Sequence, residues 1–132
     1  MPGVLAPGEL SALFARARAF LTASRYEGWP IAVAEAMASG VPVVGFGAPG
    51  VDELVRSGRD GMLVPAGDVE ALAGALRTVV IDAGLAERLG RSGRARARAW
   101  PTWKDTARRF ASEMESFAAR STRGIAQATG AP

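Results

Sequence analysis

Two short apolar runs lie either side of an alanine-rich segment, at residues 19–23 (Ala-Phe-Leu-Thr-Ala) and 41–44 (Val-Pro-Val-Val). Each carries branched or aromatic residues and is bounded by turn formers, which predicts a buried strand. The segment between them is punctuated as a helix. Pro30 suits the first helical position, where no backbone N–H is needed, and Gly40 suits a left-handed cap at the other end. Strand, loop, helix and strand in this order imply a right-handed crossover and parallel pairing.

The rest of the chain extends this unit in both directions. Residues 1–8 are rich in proline and glycine and read as a frayed start. Leu10, Leu13, Phe14 and Ala17 then form the stripe of an amphipathic helix. After residue 44 comes a glycine-rich loop (45–50), a short helix over 51–56, and a third strand over 61–65. Asp68 is a natural N-cap for a helix with Val69, Leu72, Leu76 and Val79 on one face. A further helix over 83–99 is weakened by Gly84, Gly90 and Gly93 and stopped by Pro101. Thr102 caps a last helix in which Trp103, Ala107, Phe110, Met114 and Phe117 recur at helical spacing, as core residues would. From 119 onward the chain is small and polar. The expectation is therefore a partial domain over 1–118 and a disordered tail over 119–132.

These elements predict an α/β fold: a partial Rossmann-like parallel sheet of about three strands flanked by about five helices. Open parallel sheets bind ligands at the carboxyl ends of their strands. Glu27 lies at such an end, in the loop after the first strand. Glu35 lies inside the helix, among alanines that leave its side chain room. Between them are Gly28 and the donor end of the helix, which favours a phosphate. The arrangement suits a nucleotide-sugar. Each acid has a plainer reading: Glu27 as a solvated loop carboxylate, Glu35 as an exposed helix glutamate. Glu53 likewise reads either as a first-turn glutamate favoured by the helix dipole or as a binding residue.

Composition narrows the chemistry. The 132 residues suffice for one domain with a real core and are few for a two-domain enzyme. No apolar run approaches the ~20 residues of a membrane span, and no basic start precedes a long apolar stretch as in a secretory signal. The chain has no cysteine and no histidine, so thiolate chemistry, the commonest general base and the commonest zinc ligand are missing. Catalysis would rest on carboxylates, basic groups, hydroxyls and backbone dipoles. A net charge of +3 is a weak argument for nucleic acid. The arginines at 88, 91, 94, 96 and 98 scatter around their helix and read as a solvated surface, with an anionic membrane face or a partner domain as the alternative.

The residues also resemble a family. Glu27-Gly28-x-Pro30, with Glu35 eight positions on and then Ala36-Met37-Ala38-x-Gly40-x-Pro42-Val43-Val44, resembles the E-x7-E signature of group 1 (family 4) retaining glycosyltransferases of the GT-B fold. The likeness continues through Gly50-Val51-x-Glu53-Leu54-Val55, Gly58-x-x-Gly61-x-Leu63-Val64 and Asp68-x-x-Ala71-Leu72, covering roughly residues 8 to 118. The resemblance implies the carboxyl-terminal, donor-binding portion of such an enzyme, with a nucleotide-diphosphate sugar as donor substrate and no metal. Glu27 then takes the catalytic place near the transferred sugar. Glu35 binds the ribose hydroxyls, the backbone of Gly28, Trp29, Pro30 and Ile31 faces the diphosphate, and Glu53 joins the nucleotide-sugar site.

Two parts of the family pattern have no counterpart in these residues: an upstream Arg and Lys that grip the diphosphate, and the acceptor-binding amino-terminal half. The expectation is a portion inactive alone, whose partners are the nucleotide-sugar and a missing acceptor-binding domain or chain. The alternative is a non-catalytic nucleotide-binding or interaction module derived from the same fold. An exposed sheet edge predicts self-association. The expected setting is cytoplasmic, with attachment at the inner membrane face as a second possibility; no nucleic-acid partner and no transmembrane segment are expected.

Overall fold

The structure, a computed structural model, describes residues 5–128. Residues 1–4 and 129–132, which include the ends of the expected frayed start and tail, lie outside the described residues.

Three parallel strands, β1 (Phe20–Thr22), β2 (Val43–Phe46) and β3 (Gly61–Val64), form one sheet in the order β1-β2-β3. Phe20 lies opposite Val43, and Val43 opposite Gly61. Five helices of more than one turn accompany them: α1 (Pro7–Arg16), α2 (Ile31–Ser39), α4 (Val69–Ile81), α5 (Ala83–Arg98) and α6 (Trp103–Ala128). α3 (Val51–Leu54) is a single turn. The predicted α/β class, parallel sheet and helix count all hold.

Local punctuation explains most of the boundaries. Gly40 closes α2 in the left-handed conformation, with φ of 80°, which glycine reaches without steric cost. Asp68 caps α4 by accepting the Ala71 N–H at 2.9 Å. Pro30, in contrast, is the N-cap residue of α2 and not its first helical residue. β2 begins two residues later than expected and takes in Gly45 and Phe46, all four residues being buried. Gly45 is needed there: a Cβ would stand 2.5 Å from the Thr22 Cγ2 on the neighbouring strand.

Val44 and Phe46 pack with Leu72, Ala75 and Val79 of α4 and with Leu89 of α5. α2, the crossover between β1 and β2, packs against both of these strands and against α5. Gly90 and Gly93, which on propensity alone weaken α5, are where it meets α2. A Cβ on Gly90 would stand 2.2 Å from the Gly40 carbonyl oxygen, and one on Gly93 3.7 Å from Met37. Glycine in a helix costs roughly 1 kcal/mol against alanine, and here that cost permits backbone contact.

The chain divides into two compact units, residues 1–99 and 100–132. In the second, Thr102 and Asp105 cap α6: the Asp105 N–H donates to the Thr102 hydroxyl at 3.2 Å, and the Thr102 N–H to the Asp105 carboxylate at 2.9 Å. α6 is helical to Ala128, well past residue 118, where composition suggested that regular structure ends; its alanines and arginines are good helix formers. Trp103, Phe110 and Phe117, expected in a core, are exposed. Their spacing marks one face of a helix, but periodicity does not say what covers a face. Val69, placed on the buried face of α4, is exposed as well, while Leu72 and Val79 are buried.

Candidate functional site

The carboxyl ends of β1 and β2 and the start of α2 form the region where the sequence places its site residues. Glu27 is half-buried in the loop after β1. Its carboxylate accepts a hydrogen bond from Ser24 Oγ at 2.6 Å, and Ser24 Oγ in turn accepts one from the Thr22 hydroxyl at 3.4 Å. The Glu27 N–H donates to the Pro49 carbonyl at 3.1 Å. This joins the β1 loop to the loop after β2.

Gly50 seals the junction. It has φ of 86°, and a Cβ there would stand 2.1 Å from the Glu27 carbonyl oxygen. Both the backbone angle and the space demand glycine. The glycine-rich stretch after β2 is thus the wall against which Glu27 is fixed.

Gly28 differs. Nothing lies within 4 Å of where its Cβ would be, so the space above it is open. Trp29 and Ile31 are exposed and Pro30 is buried. The Ile31 N–H donates to the Trp29 carbonyl at 2.9 Å, so that donor is already engaged within the turn. α2 has no side-chain cap and no acid in its first turn. Its positive end therefore receives no carboxylate from the helix's own first turn.

Glu35, one turn beyond Ile31, is exposed. It lines a cavity of about 360 Å³ between α1 and α2, together with Leu10, Ser11, Phe14 and Ser39. Glu27 lines neither that cavity nor two others, one beside α4 and α5 and one along α4. Glu53 is exposed on α3, and its backbone carbonyl accepts a hydrogen bond from Arg96 Nη2 at 2.9 Å.

One cluster escaped the sequence reading. Asp60, fully buried, accepts hydrogen bonds from Arg56 Nε at 2.5 Å, Arg56 Nη2 at 3.0 Å and Ser92 Oγ at 2.8 Å. Arg96 Nε lies 3.7 Å from the same carboxylate. Burial pushes the Asp60 carboxyl toward its neutral form. The hydrogen bonds from Arg56 and Ser92, with the Arg56 charge, outweigh burial and hold the group below its ordinary value. The same contact raises the Arg56 guanidinium. Arg96, counted among scattered surface arginines, is 27% exposed and engages α3. Only the Arg56–Asp60 spacing hinted at any of this.

Among the described residues, no group of three or more His, Cys, Asp or Glu is placed to hold a metal ion. No described helix is long and apolar enough to cross a membrane.

A three-stranded parallel sheet with an uncapped helix head at its carboxyl ends defines a piece of an α/β, Rossmann-like protein. The chain belongs to the glycosyl transferases group 1 family, whose model matches residues 1–96. It is 36% identical over 117 residues to the MMP α-(1→4)-mannosyltransferase of Mycolicibacterium hassiacum, covering 88% of this chain and 28% of that protein. Its fold matches sucrose-phosphate synthase from Thermosynechococcus elongatus with a TM-score of 0.81 and 29% identity, over 90% of this chain and 30% of that one. It also matches Anabaena HepE in complex with UDP, with a TM-score of 0.72 and 27% identity, over 79% of this chain and 29% of that one. The chain thus spans less than a third of the length of these relatives, and the fold it shares with them is GT-B.

Proposed function

We propose that the chain is the donor-binding portion of a retaining group 1 glycosyltransferase and holds a nucleotide-diphosphate sugar. The diphosphate lies at the head of α2, the ribose hydroxyls at Glu35, and the sugar beside Glu27 and Glu53. The observation that carries this reading is the α2 terminus. It has neither a capping side chain nor an acid in its first turn, the space over Gly28 beside it is open, and a carboxylate-bearing loop leads into it. The solved HepE complexes with UDP and with UDP-glucose support the same ligand class.

The chemistry follows from where charge develops. As the bond between the anomeric carbon and the diphosphate oxygen breaks, negative charge grows on phosphate and positive charge on the sugar. The helix terminus stabilises the first, and the Glu27 carboxylate the second. A fixed donor of that kind is worth on the order of 3 kcal/mol of barrier. The acceptor hydroxyl forms the new bond, and its proton passes to the departing phosphate, so neither a protein base nor a metal is required. The acceptor-binding half lies in the remainder of the enzyme, and these residues alone bind donor without transferring it.

Titration of the chain with UDP-glucose, GDP-mannose and ADP-glucose tests the reading. One of them binds, and Glu35→Ala weakens it about tenfold, the worth of a single charge-assisted hydrogen bond. Absence of binding by all three would refute the proposal. The second reading is a non-catalytic nucleotide-binding or interaction module on the same fold. Adding the rest of such an enzyme would then restore no transfer.

A further inference from the structure

α3 carries Glu53 and continues directly from Gly50, so its placement decides where the wall of the Glu27 loop stands. A single turn, Val51–Leu54, does not hold itself, because one turn fixes its dihedrals for almost no hydrogen bonding. Its amino end is fixed by Gly50 beneath the Glu27 carbonyl. Its carboxyl end is fixed from α5. Arg96 Nε donates to the Leu54 carbonyl at 2.8 Å and Arg96 Nη2 to the Glu53 carbonyl at 2.9 Å. Two prongs of one planar guanidinium thus satisfy two successive carbonyls of the kind a helix end leaves orphaned.

The guanidinium is itself held. The fully buried Asp60 carboxylate lies 3.7 Å from Arg96 Nε, and Ser92, one turn before Arg96 on α5, donates to the same carboxylate at 2.8 Å. Arg56, just beyond α3, closes the cluster at 2.5 Å. α5 and the end of α3 are therefore gripped at one buried point. α2 is seated on α5 through Gly90, against the Gly40 carbonyl oxygen and six residues before Arg96, while Gly93 lies against both the Asp60 carbonyl and Met37.

We propose that Arg96 is a positioning residue for the sugar-proximal side of the donor site: by clamping the carboxyl end of α3, it sets Gly50 against Glu27 and Glu53 at the rim. The inference rests on the nucleotide-sugar reading given above. Its distinctive consequence is selectivity. Removing the clamp loosens the wall beside the sugar and leaves the head of α2 and Glu35 where they are.

Two measurements on Arg96→Ala and Arg96→Lys test this. In the ligand-free protein, hydrogen exchange at the Val55 amide, which closes the α3 turn onto Val51 at 2.9 Å, rises about tenfold in Arg96→Ala. It rises less in Arg96→Lys, which keeps one charged donor. In the second, affinity for the best of the three nucleotide-sugars falls about tenfold in Arg96→Ala, while affinity for the matching free nucleoside diphosphate stays within about twofold. Equal losses for both ligands, or unchanged exchange at Val55, would overturn the positioning role, and circular dichroism identifies a variant that has merely failed to fold. Wild-type protein that binds none of the ligands would sink the nucleotide-sugar reading instead. Wild-type binding with an indifferent Arg96→Ala would sink only this inference.

Discussion

At the scale of single residues, the strongest constraint is the charge at Asp60. A carboxylate without solvent contact is costly unless its oxygens are filled, and here Arg56 and Ser92 fill them. Asp60→Asn keeps the shape and discards the charge, leaving two guanidinium groups without their counterion. It is expected to lower stability by about 2–3 kcal/mol, read from the urea midpoint. The pH dependence has a definite sign. The folded carboxyl sits below its ordinary value, so the unfolded chain takes up the proton first as pH falls. Stability from this group is complete above the ordinary aspartate value of about 4 and is lost as pH drops further, through the lower folded value. Asp60→Asn should flatten that acid limb. Gly28 is the opposite case. With open space around it, Gly28→Ala should leave stability within about 0.5 kcal/mol yet weaken diphosphate binding, because the methyl group enters the space assigned to ligand. Glu27 and Gly28 could be picked out from sequence because they sit at a strand's carboxyl end. Arg96 could not, since its partners are some forty residues away in the chain and it lies within a run of arginines.

The elements were legible where their signals are local. Short branched runs, an aspartate N-cap and a terminal glycine each act within a few residues, and they placed the three strands and the helices near their observed positions. What local signals cannot carry is the reason for a glycine. Gly74 and Gly90 both interrupt helices, and propensity alone makes both replaceable by alanine with a gain of about 0.5–1 kcal/mol. The structure separates them. A Cβ on Gly74 meets nothing, while one on Gly90 stands 2.2 Å from the Gly40 carbonyl oxygen. Gly74→Ala should therefore raise the melting temperature. Gly90→Ala should lower stability by about 1–3 kcal/mol through overpacking, with thermal unfolding as the check. If both variants move the same way, α5 does not approach α2 through Gly90. The same limit explains α6, whose aromatic stripe was recognisable as a face while its exposure was not.

At the scale of the whole molecule, the sheet has three strands, with β1 and β3 each paired on one side. Open edges of this kind favour pairing with another chain, and self-association of the isolated chain is the expected outcome. Sedimentation at increasing concentration should show a rising mass, and a concentration-independent monomer would contradict it. The relatives are about three times as long as this chain. All of this depends on a nucleotide-sugar lying across the head of α2. The most direct test is to titrate the labelled chain with UDP, GDP and ADP sugars and follow its amide resonances. Shifts concentrated at Gly28, Trp29, Ala32, Val33, Glu35, Gly50 and Glu53 are the predicted result. Saturating shifts confined to α4 or α6, or none with any of the three ligands, would contradict it.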